Sequence, residues 1–148
     1  MKKIDENIYM KRLNYFNVYV IKGKDGDILI DTGFIGMKRR LKRFLDKFDI
    51  KLIILTHAHV DHSWNAKYLK ERYNCEILMG KDDLINIDTS NVKSKPSMNK
   101  YKLWTKLLNK GMNIFKQEEF VPDILVEEDT EFNQYGLNFK VINLTGHT

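Results

Sequence analysis

The sequence predicts an α/β fold in which an antiparallel β meander leads into helices that alternate with short apolar strands. Residues 8–13, 16–21 and 27–30 are rich in β-branched and aromatic side chains, and turn residues separate the last two. Residues 51–55 form a nearly continuous apolar run, which is typical of a strand covered on both faces. The alternation with helical segments after this point predicts a mixed sheet with helices packed against it.

The predicted elements follow one another without a domain linker. Apolar residues recur at helical spacing between Met37 and Phe48, so we predict a helix over residues 37–47. Ser97 is a suitable cap for a helix that Gly111 would end. The further predictions are helices over residues 63–73, 81–87 and 98–110, strands over 75–79, 123–126 and 137–144, and a polar loop over 88–96.

Length and composition predict one soluble domain over residues 1–148, long enough to bury a core. The first residues carry positive charge without an apolar run behind them, so no secretory signal is expected. No stretch approaches the ~20 apolar residues of a membrane span, so a membrane partner is not expected. Cys75 is the single cysteine and opens an apolar run, which predicts a packing residue in a reducing, cytoplasmic compartment.

The formal net charge is +5, and a basic cluster occupies residues 38–43. Such a cluster could contact nucleic acid. However, Leu41 and Phe44 fall among these charges at helical spacing, so an amphipathic helix with a solvated basic face explains them more simply. The sequence therefore does not favour nucleic acid as a partner.

All four histidines fall in two short stretches, each directly after a strand-like apolar run. His57 and His59 are two residues apart, so an extended chain points both rings to one side. Asp61 and His62 follow where the chain turns toward a helix, and His147 lies in the second stretch. Zinc takes imidazole and carboxylate, and a catalytic zinc keeps three protein ligands and one open position. We therefore predict a metal site from His57, His59 and His147, with Asp61 and His62 beginning a second site.

The segment THAHVDH at residues 56–62 resembles the signature of the metallo-β-lactamase superfamily. Residues 28–33, ILIDTG, are similar to the family's upstream Asp-Thr-Gly element, and residues 144–148, LTGHT, are similar to its Gly-His-Thr element. The three motifs occur in the expected order along the whole chain. The resemblance implies the αββα sandwich fold and a mono- or dinuclear metal centre that performs hydrolysis by metal-bound hydroxide.

The resemblance also implies roles for individual residues. Asp61 would bind metal and orient the hydroxide or accept its proton, which makes it the catalytic candidate. Asp31 would orient a metal ligand through a hydrogen bond. The expected cofactor is one or two zinc ions, with iron or manganese as alternatives. His62 is more similar to the thioesterase, lactonase and nuclease branches than to antibiotic-hydrolysing members with arginine at that position.

The chain departs from the family pattern in two respects. Trp64 follows the signature where many members carry small residues, so its ring would crowd the site or form one wall. The sequence also ends one residue after His147, whereas the family fold continues to a bridging aspartate and a final histidine. We therefore expect the N-terminal portion of the sandwich, a domain incomplete at its C-terminus, and association as a homo-oligomer or with a complementing chain.

Tyr101 and Trp104 lie in the segment that, by the resemblance, varies among family members and shapes the substrate pocket, but packing on the core is the favoured explanation for both. The function implied by the resemblance is a metal-dependent hydrolase acting on a small ester, thioester, lactone or related small-molecule substrate. Two alternatives remain open. One is an iron-dependent redox member of the same superfamily, and the other is a shortened, non-catalytic chain that binds metal.

Overall fold

The computed structural model describes residues 1–84 and 117–144, and the elements below belong to these residues. The α-helices are α1 (Lys38–Leu45), α2 (Val60–Ser63) and α3 (Ala66–Tyr73), and a short 3-10 helix spans Lys81–Asp83. The strands are β1 (Lys2–Lys3), β2 (Ile8–Leu13), β3 (Phe16–Lys22), β4 (Asp27–Ile30), β5 (Ile50–Ile54), β6 (Glu76–Gly80), β7 (Ile124–Val126), β8 (Thr130–Gln134) and β9 (Leu137–Val141).

Strands β1 to β7 form one sheet whose spatial order follows the order in the chain. The pairs from β1 to β4 are antiparallel, as the predicted meander requires. The pairs from β4 to β7 are parallel, and α1 and α3 lie on the connections between β4, β5 and β6. The predicted α/β class is confirmed. Because β4, β5 and β6 are parallel, the segments that follow them begin at the same edge of the sheet.

One face of the sheet packs against the helices. Leu29 and Ile53 from the sheet are completely buried, as are Leu41 of α1 and Leu69 of α3 in the same cluster. Neighbouring strand residues point to the opposite face, so Leu52 belongs to a second cluster. This alternation explains why residues 51–55 are apolar at nearly every position.

The second face of the sheet packs against the hairpin formed by β8 and β9. Phe132 and Phe139 stack there with 5.2 Å between ring centroids and are half-buried against the second cluster. Helices, a seven-stranded sheet and a two-stranded sheet thus form three successive layers in the described part of the chain. These layers agree with the N-terminal portion of an αββα sandwich.

The helix predicted over residues 63–73 is divided in the structure. One helical turn, α2, contains Asp61 and His62, and α3 starts only at Ala66. The break falls at Trp64 and Asn65, where the Asn65 side chain bonds to carbonyl groups of the segment after β4. Spacing of apolar residues could not reveal this break, because its cause is a contact with residues far away in the sequence.

Several sequence predictions concern residues beyond the described ranges. Tyr101, Trp104 and His147 lie outside them, as do the predicted helix over 98–110 and the end of the one predicted over 81–87. None of the helices in residues 1–84 and 117–144 combines the length and hydropathy that a bilayer crossing needs.

Cys75 is buried beside α3, as expected for a packing residue. Burial raises the pKa of the Cys75 thiol from 9.0 to about 11. Since the thiolate is the reactive species, we expect the folded chain at pH 8 to react about 100-fold more slowly with a thiol reagent than the urea-unfolded chain. The rate of colour release from an aromatic disulfide checks this. Similar rates in the folded and unfolded chains would contradict the assigned burial.

Candidate metal centre

Two loops meet at the edge of the sheet where β4 and β5 end. Asp31 is the first residue after β4, and Thr56 and His57 follow shortly after β5. The Asp31 amide donates to the Ile54 carbonyl at 2.9 Å, which continues the parallel pairing into the loop. The Asp-Thr-Gly element and the histidine motif are therefore neighbours because their strands are neighbours.

Asp31 is the centre of the polar contacts between these loops. It is 7% exposed and adopts the left-handed backbone conformation, with φ at 60°. Its Oδ1 accepts the Thr56 amide at 2.9 Å, and both carboxylate oxygens lie 3.0 Å from the Thr56 hydroxyl. Its Oδ2 lies 2.8 Å from Nδ1 of His62. Each of these contacts satisfies a carboxylate that burial would otherwise destabilise.

These contacts determine which ring nitrogen carries the proton in two histidines. A carboxylate can only accept, so the Nδ1–H of His62 donates to Asp31. The hydroxyl of Thr56 has one proton, which it donates to Asp31, so its oxygen accepts the Nδ1–H of His57 at 3.1 Å. In the neutral form of each ring, the lone pair is then on Nε2. This is the form in which imidazole binds a metal ion.

The side chains that could bind metal converge on one side of the loop. The ring centroids of His57 and His59 are 4.6 Å apart, and those of His57 and His62 are 4.1 Å apart. Nε2 of His62 lies 3.4 Å from Oδ2 of Asp61. Two ligand atoms at about 2.0–2.1 Å from a tetrahedral ion are separated by about 3.3 Å. The spacing of this nitrogen and oxygen therefore suits a shared divalent ion, and the donor set fits zinc.

The described residues do not complete the predicted three-histidine site. No three His, Cys, Asp or Glu side chains within residues 1–84 and 117–144 are arranged to hold a metal ion by themselves. His147, the predicted third ligand, lies outside these ranges. The ligand roles of His57, His59, Asp61, His62 and His147 therefore stay predictions.

A second set of hydrogen bonds ties the loop after β4 to α2. The amide and hydroxyl of Thr32 both donate to the His62 carbonyl, at 2.6 and 2.7 Å. The Asn65 Nδ2 group donates to the carbonyls of Thr32 at 2.8 Å and Phe34 at 3.1 Å. Thr32 and Asn65 have no exposed surface. These bonds hold α2 against the loop that contains Asp31.

Ser63, the residue directly after the motif, is also held by hydrogen bonds. The hydroxyl of Ser63 lies 2.9 Å from the Ala58 carbonyl and 3.0 Å from the His59 carbonyl, and it also accepts the side-chain amide of Gln117 at 2.9 Å. The Trp64 ring packs edge-on against Phe34, with 5.4 Å between centroids. Trp64 is half-buried in this contact, and its predicted role as a pocket wall stays a prediction.

Thr56, Thr32 and Asn65 are the residues that the sequence did not single out. Thr56 and Thr32 belong to the two motifs, but neither spacing nor residue type assigned them a partner. The signal available in the sequence was a threonine directly beside Asp31 and another directly beside His57. Asn65 gave the weaker signal of a polar side chain at a position predicted to lie inside a helix.

Replacing Thr56 with valine keeps the β-branched shape and removes the hydroxyl that accepts the proton of His57. A net hydrogen bond is worth about 1 kcal/mol, so the Nδ1–H tautomer of His57 should become about fivefold less favoured. The His62 tautomer should persist because Asp31 still accepts its proton. Imidazole ¹H–¹⁵N NMR of the metal-free chain in mildly alkaline buffer measures both. Thr56→Ser is the control that retains the wild-type tautomer, and an unchanged His57 in Thr56→Val would refute the assigned hydrogen bond between His57 and Thr56.

Replacing Asn65 with alanine leaves the buried carbonyl of Thr32 and the partly buried carbonyl of Phe34 without this donor. We expect the free energy of unfolding to fall by about 1–3 kcal/mol, as measured by urea denaturation. Asn138→Ala is the matched control, because Asn138 is exposed and its replacement should change stability by less than about 0.5 kcal/mol. Equal losses in the two variants would show that the Asn65 contacts do not stabilise the fold.

Known proteins resemble this chain in both sequence and structure. A probable metallo-hydrolase of Methanocaldococcus jannaschii is 34% identical over 136 residues, which are 89% of this chain and 58% of that protein. A hydroxyacylglutathione hydrolase of Haemophilus influenzae is 27% identical over 123 residues, 81% of this chain and 50% of that protein. The chain thus spans between half and three-fifths of the length of these relatives.

Solved structures agree on the fold. A subclass B3 metallo-β-lactamase of Bradyrhizobium japonicum superposes with a TM-score of 0.78 at 23% identity, covering 99% of this chain and 52% of that one. A metallo-β-lactamase of Elizabethkingia meningoseptica gives a TM-score of 0.76 at 22% identity, covering 99% and 51%. The family description of the metallo-β-lactamase superfamily matches residues 14–148. The chain belongs to the metallo-β-lactamase superfamily.

Proposed function

We propose that this chain forms the metal-binding part of a metal-dependent hydrolase that acts on a small ester-like substrate. The observation that carries the proposal is the arrangement around His62. Asp31 accepts a hydrogen bond from its Nδ1–H, and its Nε2 lies 3.4 Å from Oδ2 of Asp61. A nitrogen and an oxygen at this separation match two ligands of one tetrahedral divalent ion, which supports a metal shared by Asp61 and His62.

The same geometry supports separate roles for the site residues. His57 and His59 would bind one ion together with His147, and Asp61 and His62 would bind a second. When bound, the metal makes water available as a nucleophile near neutral pH and polarises the substrate oxygen. Asp61 is 36% exposed at its side chain, so it can meet solvent and hold the proton that an attacking water releases.

A thioester is the substrate class to test first. The Haemophilus influenzae relative is named as a hydroxyacylglutathione hydrolase. The chain also offers an apolar surface beside the motif, where Phe34 packs between Phe16 and Trp64. These half-buried rings would contact the apolar part of an acyl group while the carbonyl meets the metal.

The proposal also covers the identity of the metal, the cellular compartment and the association of the chain. Zinc is the proposed cofactor, since imidazole and carboxylate suit it, while iron or manganese would use the same ligands. Cytoplasmic placement is proposed from the lone, buried Cys75. Association as a homo-oligomer or with a complementing chain stays a prediction.

The first test is elemental analysis of the purified 148-residue chain, followed by a thioester hydrolysis assay. We expect at least one zinc ion per chain and measurable release of free thiol. Asp61→Asn should lower the rate about 10²- to 10⁴-fold, because the carboxylate that holds the proton is lost. Asp82→Asn is the matched control, since Asp82 is exposed and distant from the motif in sequence.

Three results would contradict the proposal in different ways. Iron in the purified chain without thioester or ester hydrolysis would favour a redox member of the superfamily. A folded chain that binds no zinc, iron or manganese would favour the non-catalytic alternative. Equal activity in Asp61→Asn and Asp82→Asn would remove Asp61 from the reaction.

A further inference from the structure

The basic residues of α1 and its C-terminal extension divide into two groups with different surroundings. Lys38 pairs with Glu118 at 3.1 Å, and Lys42 pairs with Asp46 at 2.6 Å. A second group lies at positions 40, 43 and 47. Arg40 and Arg43 belong to α1, and Lys47 lies in the turn that follows it. The two groups therefore have different surroundings although they share one segment.

The second group lines a groove of about 290 Å³ between α1 and the first strands. Its lining consists of Met1, Lys11, Arg40, Arg43, Phe44 and Lys47. Lys11 comes from β2, so two separate elements direct cations toward the same space. The lining contains four cationic side chains and no carboxylate.

The four cations of the groove are not neutralised within the described residues. Ion pairs in residues 1–84 and 117–144 include other lysines and arginines, but none involves Lys11, Arg40, Arg43 or Lys47. Arg40 instead donates from Nη1 to the side-chain carbonyl of Asn14 at 2.7 Å, which holds its guanidinium in place. Four like charges around one groove repel each other and produce a concentrated positive potential.

We propose that this groove is a binding site for a compact, multiply charged anion that carries phosphate groups. Arginine side chains bind phosphate through paired N–H groups, and lysine adds a point charge. Arg40 and Arg43 are three residues apart on α1 and therefore neighbours on its surface, so two or three linked phosphate groups can contact both. The site is independent of the proposed metal centre, because the groove shares no residue with it.

The composition of the groove favours a compact anion over single-stranded nucleic acid. Single strands bind through aromatic side chains on which bases stack. Phe44 is the one aromatic residue of the lining, and it is only 4% exposed because it packs into the core. The groove therefore offers charge without a stacking surface.

Isothermal titration calorimetry of the 148-residue chain with inorganic triphosphate tests this site. We expect saturable binding near one equivalent that weakens as salt rises. Arg43→Gln should weaken binding about five- to tenfold, since it removes one charged donor. The control is Arg39→Gln, because Arg39 is exposed on the same helix, does not line the groove and changes the net charge by the same unit. This control should bind triphosphate as the unaltered chain does.

The outcomes separate this site from the metal centre. Equal affinity in Arg43→Gln and Arg39→Gln would overturn the proposal, because triphosphate would then bind elsewhere, for example at a metal. An oligonucleotide whose affinity rises with its length and exceeds that of triphosphate would also overturn it in favour of a nucleic-acid surface. Circular dichroism of both variants verifies that they fold. Loss of hydrolysis in Asp61→Asn with unchanged triphosphate binding would leave this inference standing on its own.

Discussion

The interaction on which the candidate site depends is the acceptance of three hydrogen-bond donors by the buried carboxylate of Asp31. One donor belongs to the backbone of Thr56, one to its hydroxyl and one to the ring of His62. Burial of an unpaired carboxylate would be strongly destabilising, so the loop that carries the histidines must present these donors at this place. Parallel pairing of β4 with β5 brings the histidine loop close to Asp31. The hydrogen bonds of Asp31 then fix the position of that loop.

This arrangement costs conformational free energy that the contacts offset. Asp31 has φ at 60°, a region that disfavours most side chains by about 1–2 kcal/mol. Hydrogen bonds to a charged group contribute about 1.5–3 kcal/mol each, so the contacts exceed the backbone strain. From this backbone conformation the carboxylate contacts Thr56 and His62. Asparagine and aspartate tolerate this conformation better than larger residues, which agrees with an acid at this position.

The sequence predicts those parts of the fold that depend on local periodicity. Strands β2 to β6 and helix α1 follow from alternating, continuous or helical apolar patterns. The bounds of β2 and β4 are as predicted, and those of the others differ by one or two residues. Two strands were not predicted. β1 has only two residues, and β8 shows weak alternation because one side faces solvent while the other is half-buried. Such strands depend on pairing partners more than on their own composition.

The same distinction applies to the candidate site. The histidine motif was readable because its residue types and spacing are unusual, and Asp31 was identified through resemblance to a family element. The hydrogen bond between Thr56 and Asp31 spans 25 residues, and that between Asn65 and Thr32 spans 33. No local pattern encodes such contacts. The helix predicted across Trp64 and Asn65 was wrong for this reason, since the Asn65 side chain is committed to the opposite loop.

The basic segment shows how tertiary contacts change the meaning of a charge pattern. Residues 38–43 read as one solvated basic face, but Lys38 is neutralised by Glu118, which lies 80 positions later. Arg43 has no such partner in the described chain and instead lines the same groove as Lys11, which belongs to a strand about 30 residues earlier. Both groups consist of basic residues interleaved in one segment, so only the fold can distinguish them. A surface charge therefore indicates a ligand site more strongly when the folded structure places no carboxylate beside it.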